Sequence, residues 1–185
     1  MCVMDAAAKE AAVARFLREY PQVEQGTCDH PALSGCAEVD WSGTAGCPAG
    51  VPLLLRGLLD EAAGPEALRV LGNVLMNSVF HMSAAMPAAL PYLIGLAGAR
   101  DTPVRPGLIE LLVVAAELSA PVDPDDERQA LLFGDDCDHP EREGCRIAFA
   151  AHASAVHALL EDRTPADGPI GAEDRASLLE AVQPQ

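Results

Sequence analysis

Apolar residues recur along most of this chain at helical spacing, and the interruptions fall at proline and glycine. The first such stretch covers residues 6–20, where Val13, Phe16 and Leu17 share a face and Pro21 follows the end. Residues 48–63 carry Val51, Leu54, Leu55, Leu58 and Leu59 at i, i+3, i+4, i+7 positions. Pro52 falls in the first turn of that stretch, where a missing N–H costs nothing. Gly64-Pro65 breaks the chain, and residues 66–80 then place Leu68, Leu71, Val74, Leu75 and Val79 on one stripe. A connector over 81–86 leads to a helix over 87–98, with Leu90, Leu93, Ile94 and Ala97 facing inward. After the break at Asp101-Thr102-Pro103, residues 104–119 are apolar nearly all round, as in a helix covered on both flanks. Further helices are predicted over 128–133, 144–161 and 172–182, while 21–47 and 134–143 read as irregular loops bearing Cys and His.

Composition supports this reading. Half of the 185 residues are hydrophobic but only 4% are aromatic, so the apolar content is mostly Ala, Leu and Val. Ala and Leu are strong helix formers, whereas strands favour β-branched and aromatic side chains. The expectation is a single all-α domain over 1–185, with about seven to eight helices. Short breaks between them favour antiparallel neighbours.

The run from Val51 narrows the expectation further. The phrases VPLLLRGLLD at 51–60 and ALPYLIGLAG at 89–98 each precede a break and a new helix, and Leu90-Pro91 lies 39 residues after Val51-Pro52. That offset is close to the ~40-residue period of HEAT and armadillo units. The segment 51–119 resembles small bacterial HEAT-like helical-repeat proteins, with 146–164 resembling them more loosely and the first fifty residues not at all. The resemblance implies a short α-solenoid of antiparallel helix pairs, and a role such as immunity or adaptor protein. The cysteine-bearing loops depart from that family.

Charge constrains the partners. The formal net charge is −16, and Lys9 is the only lysine. A surface of this sign repels a phosphate backbone, which needs clustered Lys and Arg, so nucleic acid and anionic membranes are not expected partners. A basic protein or peptide would be attracted and would associate faster. Charges at Asp5, Lys9 and Glu10 interrupt the start where an export signal would be apolar, and 106–118 is too short to span a bilayer. A cytoplasmic location is expected, where six cysteines point first to thiols or metal ligands.

One constellation is unusual. Residues 28–36 read C-D-H-P-A-L-S-G-C and residues 137–145 read C-D-H-P-E-R-E-G-C, identical at six of nine positions. Each copy offers a Cys, a His two residues on, and a Cys six further: Cys28, His30, Cys36 and Cys137, His139, Cys145. Thiolate and imidazole are the ligands of tetrahedral zinc, with Asp29, Asp138 or Cys47 available as a fourth. The spacing is not that of a C-x-x-C knuckle. Two separate local zinc sites, two small disulfides, and an unligated loop with buried thiols all fit it.

Other chemistry is thinly marked. His152 and His157 are five apart and do not share a helix face, and the acidic run 123–127 lacks the pattern of a calcium loop. No nucleophile elbow, phosphate-binding loop, H-E-x-x-H or dinucleotide fingerprint occurs. The leading expectation is a protein-interaction module with a concave helical surface and acidic rims. The rival is a zinc-dependent enzyme or metal-binding regulator built on the two loops.

Overall fold

The computed structural model describes residues 5–25, 30–123, 125–162 and 170–183. Among them it is all-helical, with one isolated antiparallel bridge between Met76 and Met82. The helices are α1 (Ala6–Glu19), α2 (Gln22–Gln25), α3 (Val51–Gly57), α4 (Gly64–Leu75) and α5 (Met86–Gly98). They continue with α6 (Arg105–Ser119), α7 (Glu127–Phe133), α8 (Pro140–Ala151), α9 (Ala153–Glu161) and α10 (Ala172–Ala181). Three short 3-10 segments lie at Pro31–Leu33, Cys36–Glu38 and Asp136–Asp138.

Three predicted helices end or break early, each for a local reason. The helix expected over 48–63 stops at Gly57, because the Asp60 carboxylate accepts the N–H groups of Ala62 and Ala63 and competes with the helical ladder. The helix expected to Phe80 stops at Leu75, and Met76 turns to an extended conformation. The chain then reverses through a hairpin closed by Asn77 N–H to His81 O and Ser83 N–H to Leu75 O. Val79, assigned by periodicity to the buried stripe, is 55% exposed at the tip of that hairpin. The long helix expected over 144–161 instead begins at Pro140 and breaks at His152, whose ring Nδ1 lies 2.9 Å from the Ala148 carbonyl. The irregular span 134–143 therefore holds a 3-10 turn and the first turn of α8.

Packing joins helices near and far along the chain. α1 and α3 lie on α4, α4 meets α6, and α5 pairs with α6. α8 packs on both α5 and α6, α9 on α5, and α10 on α6 and α9. One connected core runs from Val13 to Val182. Close approach is set by small residues: a Cβ at Gly57 would lie 2.8 Å from the Phe16 ring, and one at Gly95 would lie 2.9 Å from Ala32 Cβ. The first cysteine loop is thus seated on α5, where Trp41 is buried beside Tyr92 and donates its indole N–H to Cys36 O. No helix of the described residues is long and apolar enough to cross a membrane.

Candidate functional site

The described parts of the two copies share a histidine before a proline-led helical turn and a buried last cysteine. His30 and His139 each precede a proline at the first position of a helical segment, Pro31–Leu33 and α8 respectively. Proline suits that position because its φ is preset and its missing N–H would be unpaired anyway. The His30 ring Nδ1 accepts from Ala32 N–H at 3.2 Å, while the His139 Nδ1 sits 2.9 Å from Glu141 Oε1. The trailing cysteines, Cys36 and Cys145, are both buried in the core. The glycines before them diverge: Gly35 turns the chain at φ 76°, whereas Gly144 lies inside α8 and lets it approach Pro87.

The predicted ligands of the second loop are not gathered at one point. Cys137 is exposed, His139 faces Glu141, and the Cys145 thiol points into the core with its Sγ 3.8 Å from Met82 Sδ. Burial, and then the Glu141 carboxylate, push the Cys145 thiol up to about 12. In the first loop Cys28 lies outside the described residues, and His30 is directed instead towards Asp101, 3.9 Å away. Among the described residues, the single group of three close ligand atoms is the exposed trio Asp135, Cys137 and Asp138. Cys145→Ser is expected to lower stability by about 1–3 kcal/mol, because it buries a hydroxyl among apolar atoms. Cys137→Ser is expected to stay within about 0.5 kcal/mol of wild type in urea melts. Equal losses at the two positions would point to a shared ligand role.

Cys47 lines a surface cleft of about 190 Å³ with Glu10, Ser42 and Thr44. Burial raises its thiol to about 11, so it is protonated near neutral pH and a poor nucleophile.

The cations have an unexpected job. A helix leaves its last carbonyls unpaired and its C-terminus partly negative. Six of the twelve Lys and Arg side chains reach from another element to such carbonyls. Lys9, 2% exposed, donates to Val74 O at the end of α4 and to Asn77 Oδ1, both at 2.8 Å. Arg56 caps α2 through Val23 O, and Arg105 caps α5 through Ala97 O at 2.7 Å. Arg142 takes Phe133 O and Gly134 O at the end of α7, Arg146 takes Ser119 O at the end of α6, and Arg175 takes Leu160 O at the end of α9. Arg69 and Arg100 pair with Glu66 and Asp162. Half of the cations are therefore engaged with backbone carbonyls, Lys9, Arg105 and Arg142 of them buried, and carboxylates outnumber cations 28 to 12.

A second surface feature lies where α7 meets the 76–82 hairpin. α7 has no buried residue. It is held by Phe133, whose ring meets Phe80 edge to face at 5.6 Å, and by the Arg142 cap, whose guanidinium also stands 6.0 Å from the Phe133 ring centre. Behind this contact the His81 and His139 rings lie 4.8 Å apart, and Ser78 Oγ is 2.8 Å from His81 Nδ1. Burial, then the neighbouring His139 and Arg142, lower the His81 pKa, against smaller opposing effects of Glu141 and the Phe133 carbonyl. Below about pH 6.5 the unfolded chain protonates this imidazole before the folded one does, so stability falls on acidification. The slope of unfolding free energy between about pH 7.5 and about pH 5.5 is expected to flatten in His81→Gln. An unchanged slope would remove His81 from the titration.

Comparison with protein-family models, curated proteins and solved structures returned no match.

Proposed function

We propose that this chain is a protein-binding module: a short stack of antiparallel helix pairs, HEAT- or armadillo-like, that holds a basic partner protein or peptide in an immunity or adaptor role. The observation that carries it is the formal net charge of −16, with half the cations directed at helix carbonyls. That total, with all twelve cations already subtracted from the 28 carboxylates, sets up a negative field around the protein. Such a field draws in a basic partner and discourages nucleic acid. The chain-order pairing of α3 with α4 and α5 with α6 supports the stacked arrangement.

The test is to purify the partner captured from source cells, reconstitute the complex from the two pure proteins, and vary salt. The complex is expected to form and to weaken steeply from about 0.1 M to about 1 M salt, as the Debye length falls from ~10 Å to ~3 Å. Salt-insensitive binding, or an acidic partner, would overturn the electrostatic reading.

The zinc reading keeps one foothold, the exposed trio Asp135, Cys137 and Asp138. Elemental analysis of protein purified without chelator separates the two readings. Stoichiometric zinc that is lost in Cys137→Ser would favour the metal-binding alternative.

A further inference from the structure

We propose that the exposed face built by the 76–82 hairpin and α7 docks a basic, amphipathic segment of the partner protein. This rests on the module reading above and gives that module its contact surface. Of the six large hydrophobic side chains exposed among the described residues, four are here: Val79, Phe80, Leu131 and Leu132. Scattered exposed apolar residues are ordinary, but a contiguous group rimmed by charge marks an interaction surface. The hairpin and α7 meet where Phe80 touches Phe133, and Val79 and Leu132 are the chain neighbours of that pair. Leu131, two residues before Phe133 on α7, is 85% exposed.

Charge selects the occupant. Asp125 and Glu127 stand before α7, Asp135 and Asp138 follow it, and all four are exposed. Nearby Asp136 differs, being paired with Arg142 and Arg146. Arg128, exposed on α7, is the one opposing charge on that helix, while Arg142 is buried in its cap. A segment with Arg or Lys around two or three large apolar residues would satisfy both the carboxylate rim and the leucines. A second copy of this chain would bring the same carboxylates face to face and be repelled. Helix-in-groove recognition of this kind reads anchors at i, i+3 and i+4.

The probes are three dye-labelled synthetic peptides: an amphipathic Leu/Arg helix, its scrambled sequence, and an Arg/Gly peptide of equal charge. Fluorescence anisotropy is read for the wild type and for Leu131→Ser/Leu132→Ser, whose exposed substitutions are checked for an unchanged melting curve. The wild type is expected to prefer the amphipathic peptide over both controls. The double variant is expected to lose about tenfold or more of that affinity, while its weak binding of the Arg/Gly peptide stays the same. Equal affinity of wild type and variant for the amphipathic peptide would overturn this site and leave the acidic module standing. Failure of all three peptides to bind the wild type would overturn both. A light-scattering mass that shows a dimer for the wild type and a monomer for the variant would assign the face to self-association and overturn the proposal.

Discussion

Arg142→Met is expected to destabilise the protein by about 3 kcal/mol and to release α7 from the body of the fold. The side chain is 3% exposed and serves two carbonyls, Phe133 O and Gly134 O, together with the Asp136 carboxylate. Charge-assisted hydrogen bonds contribute about 1.5–3 kcal/mol each, and removing one buried partner leaves the others desolvated. Arg146 still reaches Asp136 at 3.3 Å, which limits the loss at the carboxylate. Because α7 buries no side chain of its own, its amides should exchange with solvent at nearly the rate of an open loop in the variant. Hydrogen exchange and urea melts measure the two effects. A loss under about 1 kcal/mol, the range of an exposed ion pair, would show that water takes the place of the guanidinium.

Phe16→Ala is expected to cost more, about 3–5 kcal/mol, by opening a cavity between α1, α3 and α4. Its ring is 1% exposed, stacks at a tilt on Tyr20 with centroids 5.3 Å apart, and fills the space that the missing side chain of Gly57 leaves. Gly57→Ala alone should cost about 1–3 kcal/mol by overpacking. In the double variant the new methyl enters the cavity, so the two losses should sum to less than their separate values. Strict additivity in denaturant melts would mean that the contact at 2.8 Å relaxes without cost.

How much of this was legible in the chain differs by feature. The helical periods of 6–20, 87–98 and 104–119 gave boundaries within a residue or two of α1, α5 and α6, because buried Leu, Ile and Val on those faces meet the core directly. Periodicity failed at Val79 for a physical reason. An apolar residue one turn beyond the last buried position looks like more stripe until a distant group intercepts the helix end. Here Lys9, 65 positions earlier in the chain, holds Val74 O and fixes Asn77, and the chain reverses there.

The echoed C-D-H-P motif was conspicuous, yet spacing alone left zinc, a disulfide and an unligated loop all open. In both copies the histidine stands before the proline that starts a helical turn, and the last cysteine goes into the core. The capping arginines carried no sequence signal, since their acceptors are backbone atoms far along the chain. The exposed face at α7 had a faint one: the A-L-L-F run of a seven-residue helix has too few polar positions to shield its leucines.

Lys9 has one more consequence. It is the only lysine of the chain, and its amine is enclosed at the end of α4, where burial holds its pKa below the ordinary lysine value. Amine-directed dyes and crosslinkers, and enzymes that attach acyl or ubiquitin-like groups through lysine, therefore meet no accessible side-chain handle on the native fold. Carboxyl-directed coupling meets many, and is the chemistry with which to label or immobilise this protein.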